Sequence, residues 1–399
     1  MRVLCHAQHL SGVGHFVRMH AIACGLAAGG HEVHLVDGGR PVPRSEGAHS
    51  PAPVRLPPLV RAGERLVAGD GALPVDAVVA ERARALVRAV ERIRPDVLLV
   101  DHFPFGKWEL TPEITAAAET ARRRGARVVC SLRDIVRQTR FEDGPHDAYE
   151  ARVLGLLRAH FDGVLVHADP SFVRLEEHFR RAADLPVPMR YTGFVGEAAR
   201  APACAPALDP YVVLSCGGTR STAFLLAAID GFRRASAAGA LGTMCLLVFP
   251  DPFAGAAETE ALRAAARDER VRLCGFTPEF AHWLEGSALS ISRGGYNTSV
   301  QLLRSRVAAV VVPDPRMSDQ GPRARRLAEL GLATVVEGDP PPADAVAAAI
   351  AQALAEPPRR HGLDLGGVAT TRALLEGLAA GSEAGWSSTG TSASRSTPV

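Results

Sequence analysis

The sequence predicts an α/β protein built from two Rossmann-like domains with mostly parallel sheets. Three observations support this fold class. Short apolar runs typical of buried strands alternate with longer helical patterns along nearly the whole chain. A length of 399 residues exceeds the usual size of a single hydrophobic core. Residues 196–208 contain prolines and few large apolar side chains, as interdomain linkers do. The predicted domains are therefore 1–195 and 209–380, followed by a disordered Ser/Thr/Gly-rich tail at 381–399.

Composition and charge argue against several functional classes. A formal net charge of +2 without a basic stripe argues against a nucleic-acid-binding protein. No stretch reaches the roughly 18 apolar residues that cross a bilayer, and the first residues enter a strand without a signal peptide. Seven scattered cysteines without a CxxC pair are typical of buried thiols in a reducing compartment. We therefore expect a cytoplasmic protein, with membrane contact limited to the periphery.

The chain opens with a strand-loop-helix-strand unit. Its predicted elements are a strand (2–7), a loop (8–14), a helix (15–29) and a second strand (32–36). One interpretation is a dinucleotide site, in which Asp37 contacts a ribose. The glycine fingerprint is incomplete, however, because Gly12 and Gly14 are present but Val17 stands where the third glycine belongs.

The rest of the first half continues the alternation. Residues 40–74 are rich in Pro, Gly and Arg, which predicts a long loop at the mouth of a cleft. A later strand delivers Asp101 and His102 to the carboxyl edge of the sheet. Another is followed by Arg133 and Asp134, for which ligand binding and pairing with each other are the two alternatives. The remaining predicted elements are helices at 75–94, 112–124, 146–160 and 170–181, and strands at 97–100, 127–131, 163–166 and 190–192.

The second half repeats the pattern and contains two glycine turns. The first follows a strand directly, at Gly217-Gly218-Thr219, and the second is Gly294-Gly295. The predicted strands lie at 211–215, 243–249, 271–273, 288–291, 307–312 and 333–336. Four predicted helices span 255–267, 278–284, 343–354 and 370–378. Three others begin near 221, near 297 and just after 320.

The turn at Gly294-Gly295 predicts an anion-binding site. A buried strand, a tight glycine turn and a helix start direct free backbone N–H groups and the positive helix end at one point. We expect Asn297 or Thr298 to cap this helix. A polar loop at 313–320 ends the next strand at the same carboxyl edge, where open α/β sheets bind ligands. The predicted ligand is therefore an anion that carries hydroxyl groups.

At these residues the chain resembles the MurG-like GT-B glycosyltransferases of the family 28 type, especially the bacterial "predicted glycosyltransferase" group. In the second half the resemblance lies in the string SRGGYNT at 292–298, the Val-Pro end of the next strand, and Asp319-Gln320. In the first half it lies in Gly-x-Gly-His at 12–15 and in VVCSLRDI at 128–135. The resemblance implies the GT-B fold, with two Rossmann-like domains facing an interdomain cleft.

The resemblance also implies that the second domain binds a nucleotide-sugar donor, of the UDP type. Phe276 is then placed beside the nucleobase, with core packing as the alternative. Gln301 departs from the family, which usually has a Glu that accepts hydrogen bonds from the ribose, and a neutral amide loses that charge assistance. The implied donor-binding residues are Gly217, Gly218, Thr219, Phe276, Ser292, Arg293, Gly294, Gly295, Asn297, Thr298, Gln301, Asp319 and Gln320.

In the first domain the resemblance makes His15 the candidate catalytic base, since the pKa of histidine lies near operating pH. A carboxylate at Asp101 would hold the imidazole ring and stabilise the imidazolium. The alternative for Asp101 is a capping or loop-bracing role. The implied acceptor-side residues are Gly12, Gly14, His102 and Arg133.

The expected reaction is inverting transfer of a sugar from the nucleotide-sugar to a hydroxyl of a small-molecule or lipid-linked acceptor. The sequence has no Asp-x-Asp motif and no His/Cys cluster with ligand spacing, so we expect neither a metal nor a cofactor. Two alternatives remain. A nucleotide-sugar hydrolase would use water as the acceptor, and a non-catalytic nucleotide-sugar binder would have lost turnover.

Overall fold

The computed structural model describes residues 1–10, 12–41, 49–63, 65–69, 73–136, 146–197, 210–218, 221–382 and 386. In the first half of the chain the described strands are β1 Arg2–Ala7, β2 Glu32–Asp37, β3 Ala52–Arg55, β4 Leu59–Ala62, β5 Arg65–Ala68, β6 Val97–Asp101, β7 Arg127–Arg133, β8 Gly163–His167 and β9 Met189–Tyr191. The helices of this half are α1 Gly14–Ala28, α2 Val75–Ile93, α3 Thr111–Arg123 and α4 His146–His160.

A seven-stranded sheet of order β3-β2-β1-β6-β7-β8-β9 forms the centre of this half. Its strands pair in parallel throughout. The central strands are buried on both faces because helices cover both, which explains their continuous apolar runs. The register pairs His6 with Val100 and Asp101 with Ser131. The segments after β1, β6 and β7 therefore meet at one edge of the sheet.

Two predicted elements of this half are wrong. Residues 40–74 are not one long loop, because β3 extends the sheet beside β2 and β4 pairs with β5 as a hairpin. Val54, Leu59 and Val60 are buried there despite the surrounding prolines. Residues 170–181 do not form an α-helix. Turns and a short 3₁₀ segment, Leu175–Glu177, bury Phe172 and Phe179 instead.

The second half contains a second parallel sheet, of order β12-β11-β10-β13-β14-β15. Its strands are β10 Tyr211–Ser215, β11 Cys245–Phe249, β12 Val271–Leu273, β13 Leu289–Ser292, β14 Ala308–Val311 and β15 Thr334–Val335. Its helices are α5 Thr222–Ala237, α6 Ala256–Ala265, α7 Phe280–Glu285, α8 Tyr296–Ser305, α9 Gln320–Glu329 and α10 Ala343–Ala355. Both halves are therefore α/β layers with parallel sheets, as predicted.

The end of the chain returns to the first half. The last described helix, α11 Gly367–Ala379, lies inside the proposed 209–380 domain, yet its Leu375 packs in the same apolar cluster as α1. Trp386, in the predicted tail, is buried in that cluster and donates its indole N–H to the Leu374 carbonyl at 3.0 Å.

The chain crosses between the halves twice, and the two crossings are bonded to each other. The amide of Phe194 donates to the Asp364 carbonyl at 2.8 Å, and the amide of Gly367 donates to the Phe194 carbonyl at 3.1 Å. Phe194 lies just before the predicted linker, whose residues 198–208 are outside the described part of the chain.

Candidate functional site

His15 and Asp101 meet at the carboxyl edge of the first sheet. His15 lies in the first turn of α1 and Asp101 ends β6. The His15 Nδ1 lies 2.9 Å from one carboxylate oxygen of Asp101 and 3.2 Å from the other. Because an ionised carboxylate only accepts, Nδ1 carries the proton and Nε2 keeps its lone pair. The His15 side chain is 21% exposed, whereas Asp101 is fully buried.

Two cations share the Asp101 carboxylate with His15. Arg18 donates to one oxygen and Lys107 donates to the other. Lys107 also donates to the Gln8 carbonyl at 2.6 Å, and Arg18 to the Ser131 carbonyl at 3.3 Å. These contacts fix the carboxylate from several directions, so Asp101 has little freedom to leave the ring of His15.

The charges of this cluster set the protonation states. Burial alone would raise the pKa of Asp101, but the neighbouring His15, Lys107 and Arg18 hold it well below its usual range. Burial lowers the pKa of His15 to about 3, against the raising effect of Asp101 and with further lowering by Lys107 and Arg133. At neutral pH the pair is therefore a neutral imidazole beside a carboxylate, so Nε2 is able to accept a proton. The expectation of a pKa near operating pH for this base is wrong, because burial outweighs the effect of Asp101.

His102 and Arg133 lie beside this pair. The His102 ring centroid is 5.4 Å from that of His15, and its backbone has a φ of 66°, a left-handed conformation that few non-glycine residues adopt. Lys107, at the other end of the same loop, also has a positive φ of 58°. Arg133 ends β7 and its guanidinium lies 3.3 Å from Asp319 of the second half. The predicted acceptor-side residues thus share one edge with His15.

The second glycine turn faces this edge from the other half. Gly295 occupies the N-cap position of α8 without a side-chain cap, so the predicted capping by Asn297 or Thr298 is wrong. Asn297 instead donates its side-chain amide to the carbonyl of Gly14, the residue before His15, at 2.9 Å. The N-terminus of α8 and the N-terminus of α1 are therefore in direct contact across the cleft.

The first glycine turn also lies against the opposite half. A Cβ atom at Gly12 would stand 2.5 Å from the Gly218 carbonyl oxygen, and one at Gly218 would stand 2.8 Å from the Val13 nitrogen. Gly217 has a φ of 63°, which glycine adopts without strain. The predicted Thr219 lies outside the described residues. The two glycine turns thus both lie against the segment that carries His15.

The side chains of several predicted donor-binding residues already make hydrogen bonds to other protein groups. Arg293 is buried and donates to Ser221 at 2.8 Å and to Asp339 at 2.6 Å. Gln320 accepts from the Asp314 amide at 2.9 Å. In the described structure these two side chains brace the loops that would surround a ligand.

Gln301 and Asp319 are engaged in a similar way. The Gln301 side-chain nitrogen donates to the Glu197 carbonyl at 3.1 Å. Asp319 lies 3.3 Å from Arg133 and 3.0 Å from Arg323. Of the other predicted donor residues, Ser292 is fully buried at the end of β13, whereas Phe276 is half-buried and stands outside the apolar clusters of the described residues.

Gly294 is closely packed, and its neighbour Gly295 is not. A Cβ at Gly294 would lie 3.1 Å from the Gln320 carbonyl, whereas one at Gly295 would meet nothing within 4 Å. Space for a ligand therefore opens on the side of Gly295, at the start of α8.

Sequence reasoning missed the residues that join the two halves. Arg323 on α9 is buried and pairs with both oxygens of Asp134 at 2.7 Å, and it donates to the Gly294 carbonyl at 2.6 Å. Tyr296 donates its hydroxyl to the His167 carbonyl at 2.9 Å and accepts from the Val195 amide at 2.9 Å. The tyrosine stood inside a motif already singled out, but nothing in the motif indicated a partner in the first half.

Within the described ranges, no group of three His, Cys, Asp or Glu side chains is placed to hold a metal ion. None of the described helices is both long and apolar enough to span a bilayer.

Comparison with known proteins supports the fold and the family resemblance of the second half. Residues 254–362, which include the second glycine turn and Asp319-Gln320, match the glycosyltransferase family 28 C-terminal domain. Curated protein sequences give no significant match.

Solved structures resemble nearly the whole chain. The spinosyn forosaminyltransferase SpnP matches with a TM-score of 0.57 at 18% identity, covering 96% of this chain and 95% of its own. The glycosyltransferase VinC, in complex with dTDP, matches with a TM-score of 0.54 at 18% identity and 96% coverage of both chains. MurG of Acinetobacter baumannii matches with a TM-score of 0.52 at 15% identity, covering 94% and 99%. The predicted resemblance and the GT-B fold are thereby confirmed.

Proposed function

We propose that the protein transfers a sugar from a nucleotide-sugar to a hydroxyl acceptor, with inversion at the anomeric carbon. The observation that carries this proposal is the contact between Asn297 and Gly14. It brings the residue before His15 against the first turn of α8, and a helix N-terminus favours a bound diphosphate. The family match over 254–362 supports a nucleotide-sugar as the donor.

In the proposed mechanism the second half binds the donor. Backbone N–H groups at Gly217-Gly218 and at the start of α8 stabilise the negative charge that develops on the leaving diphosphate. The open space beside Gly295 leaves room for that group. Phe276 is assigned to the nucleobase because its half-buried ring stands outside the described apolar clusters. Arg293 and Gln320 act indirectly, by bracing the turn and the 313–320 loop.

The first half binds the acceptor and removes its proton. Nε2 of His15 accepts the hydroxyl proton as the oxygen attacks the anomeric carbon from the face opposite the diphosphate. Asp101 fixes the Nδ1–H tautomer and stabilises the imidazolium that forms. Closure of the two halves around the substrates would exclude water, which favours transfer over hydrolysis.

A binding panel tests the donor assignment. We expect UDP-, dTDP- or GDP-sugars, measured in parallel, to raise the melting temperature, because a ligand selective for the folded state stabilises it. No shift with any nucleotide-sugar would contradict the proposal. The panel is followed by turnover assays with and without alcohol acceptors. Steady sugar release without an acceptor would identify a hydrolase, and binding without turnover would identify a non-catalytic binder.

A substitution tests the base. His15→Gln keeps a polar side chain of similar size but cannot take up the proton. We expect kcat to fall by a factor of about 10²–10⁴, the usual contribution of a general base, with donor affinity little changed. Unchanged turnover in a variant that still binds donor would contradict the assignment of His15.

A further inference from the structure

We propose that Arg133, together with His102, binds an anionic group, a phosphate or carboxylate, of a ligand held next to His15. The inference rests on the proposed function, because it places this anion subsite in the cleft where donor and acceptor meet. Its sources are the donor diphosphate or an acidic acceptor, which share the same chemistry.

Arg133 is buried but poorly satisfied. It is 9% exposed, and its described polar contact is the ion pair with Asp319 at 3.3 Å. Its Nε has no hydrogen-bond partner among the described residues. A buried guanidinium has five N–H donors, and leaving them unpaired is costly. An incoming anion would supply the missing acceptors.

Two other buried arginines of the same chain show what full pairing looks like. Arg82 donates to Glu113, Gln8 and the carbonyls of Gly38 and Pro57. Arg323 donates to Asp134, Asp319 and the Gly294 carbonyl. Both serve the architecture with nearly all of their donors. Arg133 differs because it stands at the ligand edge with donors to spare.

The local charges favour an anion as well. Among the described side chains of this junction, the cations are Arg18, Lys107, Arg133 and Arg323, and the carboxylates are Asp101, Asp134 and Asp319. Four positive charges thus face three negative ones, with the imidazoles of His15 and His102 neutral. Burying an excess positive charge is unfavourable unless a counter-charge is supplied.

His102 contributes a second unpaired polar atom. Its Nδ1 is buried without a described partner, and its side chain is held beside His15 by a left-handed backbone. Strained conformations persist where the surrounding structure enforces them, and they cluster at functional sites. Burial, with the positive charges of Arg133 and Lys107, lowers the pKa of His102 well below its usual range. In the neutral tautomer with hydrogen on Nδ1, this ring donates to an anion without adding charge.

The test measures thermal stabilisation of the full chain by inorganic phosphate and pyrophosphate. Variants Arg133→Gln and Arg133→Lys are compared with Arg158→Gln, which changes an exposed arginine on α4. We expect both anions to raise the melting temperature of the wild type and of Arg158→Gln. Arg133→Gln should need at least about tenfold more anion for the same rise, and Arg133→Lys should lie between, since lysine keeps the charge without the planar fork.

A second arm distinguishes the two sources. Affinities for UDP and dTDP are compared with those for uridine and thymidine. If Arg133→Gln weakens the diphosphates and spares the nucleosides, the donor supplies the anion. If nucleotide affinity is unchanged but phosphate added to nucleotide-saturated protein no longer stabilises the variant, the anion belongs to the acceptor.

The proposal is overturned if Arg133→Gln keeps both the anion response and the nucleotide affinity of the wild type. Should Arg133→Gln be unfolded, Arg133→Lys with a wild-type response overturns it equally. Failure of the proposed function gives a different result. If the wild type binds no nucleotide-sugar, while phosphate stabilises the wild type but not Arg133→Gln, glycosyl transfer is refuted and the anion subsite is retained.

Discussion

The side-chain amide of Asn297 donates a hydrogen bond of 2.9 Å to the main-chain carbonyl of Gly14, across the cleft between the two halves. Gly14 precedes the proposed base, and Asn297 lies in the first turn of the helix proposed to hold the diphosphate. This contact therefore lies between the proposed base and the proposed diphosphate site.

Removing this contact should reduce catalysis more than stability. For Asn297→Ala we expect kcat/KM to fall roughly fivefold, which corresponds to about 1 kcal/mol for a single hydrogen bond. Asn297→Asp should fall further, because a carboxylate repels the carbonyl of Gly14 and the diphosphate. Steady-state kinetics with melting curves provide the check. Equal losses in Asn297→Asp and Asn297→Ala would contradict this role.

Asp101 should be as important for stability as for turnover. Asp101→Asn leaves Arg18 and Lys107 without their shared carboxylate, and breaking a buried pair in this way costs about 3–5 kcal/mol. Adding Lys107→Met removes one of the two stranded cations. We expect the double variant to regain part of the lost stability in urea unfolding, but no turnover. Recovery of turnover would contradict the role of Asp101 in holding His15.

The pH profile should lack an acid limb near the ordinary pKa of histidine. The proposed base acts when neutral, and burial lowers the pKa of His15 to about 3. We therefore expect kcat/KM to stay level as the pH falls from 8 to 5 and to decline only nearer pH 3. The folding stability should also decrease as the pH falls. The pKa of His15 is about 3 in the folded protein and about 6.5 in the unfolded chain, so the unfolded chain binds the proton first and His15 increasingly favours unfolding below pH 6.5.

Lys107→Met should move this limb upward, since it removes a positive charge that lowers the pKa of His15. Kinetics between pH 4 and 8 compare the variant with the wild type. A wild-type limb centred near pH 6.5, unmoved in the variant, would contradict the proposed electrostatics.

Arg323 should be among the most sensitive positions for stability. Arg323→Ala strands the buried Asp134, which we expect to cost about 3–5 kcal/mol. The exposed Arg325 on the same helix is the matched control, and Arg325→Ala should stay within about 0.5 kcal/mol of the wild type. Denaturant unfolding measures both. Similar effects of the two substitutions would show that the junction contributes little.

Gly12→Ala should push the loop before His15 away from the first glycine turn. The added methyl group would meet the Gly218 carbonyl at 2.5 Å, and backbone atoms cannot rotate away as side chains do. A shift of about 1 Å in a reacting geometry can cost on the order of 10²-fold in rate. Gly155→Ala on α4 is the control, because its Cβ meets nothing within 4 Å and should stabilise the helix by about 0.5–1 kcal/mol. Near-normal kcat/KM in Gly12→Ala would show that catalysis tolerates separation of Gly12 from Gly218.

Local sequence patterns were sufficient for most of the fold. Strand β10 was predicted at its observed bounds because a buried parallel strand is a continuous apolar run. Residues 170–181 show the limit, since their apolar residues suit a helix as well as the turns that bury Phe172 and Phe179.

Candidate site residues could be predicted only where they lie within a single local motif. The turn at Gly294-Gly295 was singled out from its strand-turn-helix pattern and His15 from the family resemblance, whereas the pairing of Arg323 with Asp134 joins residues 189 apart in sequence. The same holds for Arg293, which was predicted as a ligand contact and is engaged with Ser221 and Asp339. Tertiary geometry decides such partners, and no local pattern encodes it.

The paired crossings at Phe194 and Asp364 have a mechanical consequence. Two domains joined by one flexible segment can rotate freely about it. Two connecting segments that are bonded to each other resist twisting, so hinge bending is left as the motion of lowest energy. We expect the two halves to open by hinge bending about Phe194, so that the imidazole of His15 and the proposed phosphate site move apart and back along one path.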